Sequence, residues 1–348
     1  MQFDSSHNSA LINYYYTNYS TCPPYTSYFA SWQFVAGFLH TVLVIQSPLV
    51  VFTGYCIIKK TPKAMGSLKW AMLNVLFWST YMDVVFCFLV TPYFMFPAIG
   101  GFTVGLLRWL GVSTAFQAYL GITSMGFMFN SISALFENRS SSFEINRFRF
   151  TRSSSRFTFF IFNGLVTAVC LLPLFNNIPD QDAAKMKQLE TLPCPHPEYF
   201  SSPIFIFIND GDWAWYLTAV LSVQWAWIFF SIIFFISCIT YHIFYSTSAS
   251  YSDQTKRLQK MFFIGNLIQV ALPTVFWAGP AWFLMFSVFT NFYSQSVNNI
   301  GVAFVSLHGL ASMITTLAIH HPYRSFIRSF FRTRNILPTP TPLFSTDN

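Results

Sequence analysis

The sequence predicts an all-α integral membrane protein. Its expected fold is a seven-transmembrane helix bundle, N-terminus outside and C-terminus inside, with a short amphipathic helix after the seventh span. Three observations predict this: a composition poor in charge, seven long apolar segments, and a one-sided distribution of basic residues. Of 348 residues, 53% are hydrophobic, 20% aromatic and only 9% charged, against about 25% charged in soluble proteins. Such a chain has too little charge to cover itself in water and needs lipid as a solvent. The net charge of +7 does not point to nucleic acid, because the basic residues lie in short clusters between apolar spans.

The segments run roughly Ser31–Ile58, Trp70–Pro92, Trp109–Phe136, Phe157–Phe175, Trp213–Tyr245, Met261–Phe289 and Ile300–His320. Each is long enough to cross a ~30 Å hydrocarbon core at 1.5 Å per residue. The third is the central one. It carries Ser113, Thr114, Gln117, Thr123, Ser124, Asn130, Ser131 and Ser133 on every side, which would be costly if lipid surrounded it. Its small residues, Gly111, Ala115, Ala118, Gly121, Gly126 and Ala134, admit close neighbours. An ordinary buried helix of a soluble protein would not be accompanied by six more such segments.

Sixteen of the 19 basic residues fall after the first, third, fifth and seventh spans; only Arg108, Lys185 and Lys187 lie on the other side. The positive-inside bias then places the N-terminus outside. This N-out, seven-span, C-in layout with short loops is that of a G-protein-coupled receptor. Residues 1–30 form the expected extracellular segment, polar and without a cleavable signal peptide. Residues 31–322 form the receptor domain. Residues 323–334, with Phe326, Ile327, Phe330 and Phe331 beside Arg324, Arg328 and Arg332, read as a helix lying on the inner leaflet. Residues 335–348, with three prolines, read as a disordered tail.

On the outer side lie Cys22 and Cys194, either bridged across the bundle mouth or left as two thiols. Cys56, Cys87, Cys170 and Cys238 lie in spans. Asn18 heads an Asn-Tyr-Ser glycosylation sequon; Asn138 heads another that faces the cytosol.

Four motifs carry a resemblance: KKTPKAMGSLKW (Lys59–Trp70), WSTYMD (Trp78–Asp83), LFENR (Leu135–Arg139) and SLHGLASMITTLAIHHPYR (Ser306–Arg324). With the Thr91–Gly105 elements, the chain resembles the nematode serpentine receptor class H (Srh), of the Str-type seven-span chemoreceptors, from about Gln33 to Phe331. The resemblance implies a sensory-neuron receptor coupled to a heterotrimeric G protein, in the plasma membrane of sensory cilia. It places Arg139 in the family's Glu-Asn-Arg motif, after Glu137 and Asn138. There it is either a G-protein switch, able to pair with Glu137 inside its own bundle, or a snorkelling anchor. Pro322, Tyr323 and Arg324 match the family's motif at the end of the seventh span, where proline acts as a hinge or a plain stop.

Asp83 is the only acid inside a span. It lies ~21 Å along a helix from Lys69, at a depth similar to that of His308. An intramembrane carboxyl is a functional candidate by default. It forms either a switching polar centre, with His308 or with Ser124 or water and Na⁺, or a protonated structural group. Pro273 and Pro280 offer a kink near Trp277.

The outer half of the bundle offers His40, Gln117, Tyr119, Gln224, Trp225, Trp277 and Trp282 but no acid or base. Aromatic walls with few polar groups suit a small, neutral, odorant-like ligand, with Gln117, Tyr119 and His308 as its polar contacts. No catalytic motif, metal-ligand spacing or cofactor box is present. The alternative to a receptor is a seven-span transporter or channel subunit, for which a filter, a charged ring and internal symmetry are all lacking.

Overall fold

The computed structural model describes residues 9–25, 27–62, 66–209, 211–245 and 253–333. The expected disordered tail, Lys63 and Arg334 lie outside these residues, as do the side chains of Phe330, Phe331 and Arg332. The fold is a bundle of seven spans. Among the described residues six helices are long and apolar enough to cross a membrane, and a shorter apolar stretch, Thr274–Thr290, lies within the remaining span.

The first span is α2 (Trp32–Lys60), which follows a short N-terminal helix, α1 (Ser9–Thr17). The second is α3 (Gly66–Val84) continued as a π-helical turn over Val85–Val90. It stops at Thr91, whose φ of 44° no helix tolerates. The third span starts later than the lack of charge suggests. A one-turn helix, α4 (Leu106–Trp109), is cut off at Gly111 (φ 72°). Ser113 then caps α5 (Thr114–Ser141) by accepting from the Phe116 N–H. Trp109, expected inside the span, therefore ends α4 ahead of it and is 84% exposed.

The fourth span breaks into α6 (Ser153–Val169) and α7 (Leu172–Asn176), with Pro173 in the first turn of the second piece. Helices α8 (Gln181–Thr191) and α9 (Glu198–Ser201) fold the long fourth-to-fifth connection. The fifth span is α10 (Gly211–Thr240) with a π turn to Tyr245, and the sixth is α11 (Asp253–Thr290). The seventh is divided at Leu307 into α12 (Gln295–Ser306) and α13 (His308–Ile319).

Helix α14 (His321–Thr333) is the last element among the described residues. Pro322 sits in its first turn, where a missing N–H costs nothing. The break therefore falls at His320, and Pro322 starts a helix rather than hinging one. Tyr323 is fully buried, its hydroxyl 2.7 Å from Thr61 Oγ1 of the first connection. Phe326 packs on Phe52 and Tyr55, with Lys60 Nζ 4.0 Å above its ring.

The bundle mouth is closed by structure that composition does not announce. Strands β1 (Pro92–Phe94), β2 (Gly100–Thr103) and β3 (Phe205–Ile206) pair antiparallel across it. Above them α1, α8 and α9 form a lid whose Leu11, Ala184, Leu189, Tyr199 and Phe200 join one apolar cluster with Tyr93 of the sheet and with Val35, Leu39, Cys87 and Val302 of the spans. A disulfide joins Cys22 to Cys194. Around it Tyr14, Tyr25 and Tyr19 donate to the carbonyls of Pro193, Cys194 and Pro195, at 3.1, 2.6 and 2.9 Å. The chemistry explains the pattern. In Leu-Pro-Cys-Pro-His-Pro every second residue lacks an N–H, so the segment cannot enter a helix and leaves its carbonyls to be claimed by side chains.

The bridge makes a paired prediction. Cys194→Ala should destabilise the receptor by about 2–5 kcal/mol, read as a lower thermal midpoint in nanodiscs. Adding Cys22→Ala should cost almost nothing more; an equal second loss would mean that the two thiols act separately.

Candidate functional site

The polar centre of the bundle is built where two spans depart from regular helix. Asp83, 1% exposed, stands two residues before the π turn of the second span. Opposite it, the break at Leu307 exposes the Val305 carbonyl, which lies 3.0 Å from His308 Nδ1. A carbonyl only accepts, so Nδ1 carries the imidazole proton. The same nitrogen is 3.3 Å from Asp83 Oδ1. Gly309 makes the approach possible: a Cβ there would overlap the Asp83 carboxyl group. Gln46 of the first span, 1% exposed, also faces this carboxyl without closing a well-formed hydrogen bond.

Ser124, the other partner expected for Asp83, instead donates to Gly121 of its own helix. Beside Asp83 lies a cavity of about 10 Å³ lined by Thr53, Ser79, Thr80, Ser312 and Thr316, space for about one water.

An aromatic cluster covers the mouth side of this centre. Trp277 lies 5.7 Å from His308, 6.3 Å from Phe86 and 6.4 Å from Phe129 between ring centroids. Phe129 in turn meets Trp225 at 4.6 Å. Trp277 Nε1 and His308 Nε2 are both buried without a partner. The first can only donate and the second, with the proton on Nδ1, can only accept. A matched donor and acceptor thus sit in neighbouring rings with no hydrogen bond between them.

The residues expected to face a ligand are divided. His40 and Trp282 are exposed on the outside of the bundle. Tyr119 donates to Ala168 O at 2.7 Å, and Gln224 Nε2 donates to Thr167 Oγ1 at 2.8 Å, so both turn to the fourth span. Gln117 is buried; its Nε2 donates to Val112 O, while its Oε1 has no partner. For Gln117 and Tyr119 the reason lies in the third span itself: with protein on most sides, a polar group near its outer end finds a nearby backbone carbonyl before it finds a cavity.

At the opposite face Glu137 does not pair with Arg139. Residues two apart on a helix point away from each other. Glu137, 1% exposed, instead holds Arg156 at the start of the fourth span, with Oε2 2.9 Å from Arg156 Nε. It also accepts from Ser141 Oγ at 2.6 Å. Arg139, 6% exposed, crosses to the sixth span, where Nη2 donates to Gln259 O at 3.4 Å, and its guanidinium lies over Phe143. Asn138 is half-buried. Asn18, at the other end of the molecule, is exposed.

The family profile described as "Serpentine type 7TM GPCR chemoreceptor Srh" matches residues 30–333. The chain belongs to the Srh class of serpentine chemoreceptors. Serpentine receptor class H-72 of Caenorhabditis elegans is 35% identical over 327 residues, 93% of each chain. The fold is similar to that of squid rhodopsin in its crystal structure, with a TM-score of 0.61 at 11% identity over 92% of this chain and 90% of the other. Srh proteins are chemoreceptors of the GPCR type, receptors rather than enzymes, which sets aside the transporter or channel alternative.

The geometry of the Srh polar centre predicts a steric test. Gly309→Ala should destabilise the receptor by about 1–3 kcal/mol, the usual cost of overpacking, seen as a lower thermal midpoint. Asp83→Ala in the same chain should recover part of the loss by removing the group the methyl strikes. No recovery would mean that Gly309 serves another contact.

Proposed function

We propose that this receptor binds a small, neutral, mostly apolar environmental molecule of odorant type within the bundle and activates a heterotrimeric G protein. The observation that carries the ligand reading is the chemistry of the interior. Among the described residues, Asp83 is the acid buried in mid-span, and the seventh span already occupies it through His308 and Gly309. A charged transmitter would find no free opposite charge there, and burying an ion unpaired is far costlier than burying a neutral polar group. Phe129, Trp225 and Trp277 supply an apolar wall, with Gln117 Oε1, Trp277 Nε1 and His308 Nε2 as open hydrogen-bonding atoms. A ligand displacing Trp277 could drive its N–H onto His308 Nε2. That would pull the sixth span toward the seventh beside Asp83.

Release of Arg139 from Gln259 is the corresponding event at the other face, and Pro322, Tyr323 and Arg324 fix the base of the seventh span against the first connection. The proposed orientation keeps the lid outside, in the plasma membrane of sensory cilia. The basic asymmetry supports it, as does a disulfide that belongs in an oxidising compartment. Asn18 is the proposed glycosylation site.

Expression with a G-protein reporter tests the reading. Neutral volatiles should evoke activation, and amines and peptides should not. A strong response to a cation that survives Asp83→Asn would overturn the ligand class. Arg139→Ala should reach the cell surface at normal levels and lose ligand-evoked activation. Arg139→Lys should rescue it poorly, because a point charge does not replace a planar fork. Full signalling by Arg139→Ala would leave Arg139 as an anchor only.

A further inference from the structure

The joint between the lid and the bundle turns on one imidazole. His196 follows the disulfide-bonded Cys194 and is 8% exposed. Three elements converge on it. From the N-terminal segment comes Tyr25, its ring centroid 5.0 Å away; from strand β1 comes Tyr93, at 6.4 Å. From the approach to the seventh span comes Tyr293, whose hydroxyl accepts the backbone N–H of His196 at 2.9 Å.

Tyr293 passes the connection on. Its hydroxyl donates to Gln295 Oε1; Gln295 Nε2 donates to Phe94 O and to Asn299 Oδ1; Asn299 Nδ2 donates to Phe29 O and Ser31 O. Tyr93 donates to Ala30 O. One hydrogen-bond network therefore ties the lid, the sheet and the openings of the first and seventh spans together beside His196.

The imidazole itself is poorly provided for as a cation. Nδ1 is buried with no acceptor. Its surroundings are tyrosines, and burial pushes the hydroxyls of Tyr19, Tyr25, Tyr93 and Tyr293 up, so none supplies negative charge. The acid nearby on its own segment is Glu198, which accepts from Ser201 and whose carboxyl is itself pushed up by burial. Tyrosine faces offer an imidazolium only about 0.5–1 kcal/mol, less than the usual cost of a buried charge.

We propose that the lid holds a proton-binding site of its own, His196, whose protonation undocks the lid from Tyr93 and Tyr293, so that external acid is an input separate from the bundle ligand. The two halves of the lid stay joined through Cys22–Cys194 and the tyrosine-to-carbonyl bonds, so it moves as one piece. Burial holds the imidazole at about 4 when docked, against 6.5 when free. A group depressed on docking favours the docked state above 6.5, and that preference falls about tenfold per pH unit down to 4. Glu198 acts in the opposite sense, since a carboxyl raised on docking favours the docked state as pH falls.

Hydrogen exchange on the full receptor in nanodiscs, corrected for intrinsic chemistry, reads this without any ligand. Its result is therefore independent of the proposed odorant and G-protein coupling. Amides of 194–204 should exchange about 20-fold faster at pH 5 than at pH 7, while those of the third span stay unchanged. His196→Phe keeps the ring and removes the proton site. Its lid should show no acceleration in acid, or slight protection from Glu198. An unchanged wild-type lid overturns the proposal, as does a His196→Phe lid that opens as the wild type does. If His196→Phe is undocked at pH 7, His196→Gln serves as the non-titrating variant, under the same two criteria.

Discussion

Hydrocarbon solvates no hydrogen bond, and this constraint organises the molecule. Each polar group carried into the spans must find a partner within the protein or be held there at a cost. Most are satisfied locally. Thr123, Ser131, Thr167 and Thr316 return their hydroxyls to carbonyls three or four residues back on their own helices. Others knit spans together: Asn130 and Gln224 share Thr167, and Trp227 donates to Asn163. Some stay open singly, such as Gln117 Oε1 and the Asn266 amide, but the largest group gathers near Asp83. Asp83, Gln46, Thr53, Trp277 and His308 all keep buried polar atoms open there, and Asp83 and Thr53 line a space the size of one water. A region so incompletely satisfied is where a second arrangement costs least, which suits it to the proposed conformational change.

The lid obeys the opposite logic. It lies outside the spans and could use water, yet apart from His196 Nδ1 it is closely tied: a disulfide, three tyrosine-to-proline-segment bonds and a sheet in the mouth. The contrast separates the two ends of the receptor. A firm cover sits over a bundle whose middle is under-bonded, and the proposed ligand reaches the second only by way of the first or through the lipid.

The spans were legible because apolar length and basic asymmetry are properties of single segments. Asp83 and His308 were legible as a pair because two helical depths could be compared from fixed points, Lys69 and Pro322. The Glu137–Arg139 pairing failed on elementary helix phase, and Arg156 became the partner because the second connection folds back, which no local pattern encodes. The sheet was missed because Pro92–Phe94 and Phe205–Ile206 are too short to show alternation. Helix α1 was hidden in a polar, tyrosine-rich stretch whose buried face is supplied by α8. Tyr119 and Trp282 show the limit of helical phase: an inward direction guessed from one helix cannot say which neighbour waits there.

The central claim is that Trp277 and His308 act as one unit, exchanging an open donor and an open acceptor for a hydrogen bond on activation. A double-mutant cycle on basal G-protein activation, using Trp277→Phe, His308→Phe and the double variant at matched surface expression, tests it most directly. The account predicts strong non-additivity, the double variant resembling either single one, with a coupling well above the ~0.5 kcal/mol seen for independent sites. Additive effects would contradict it.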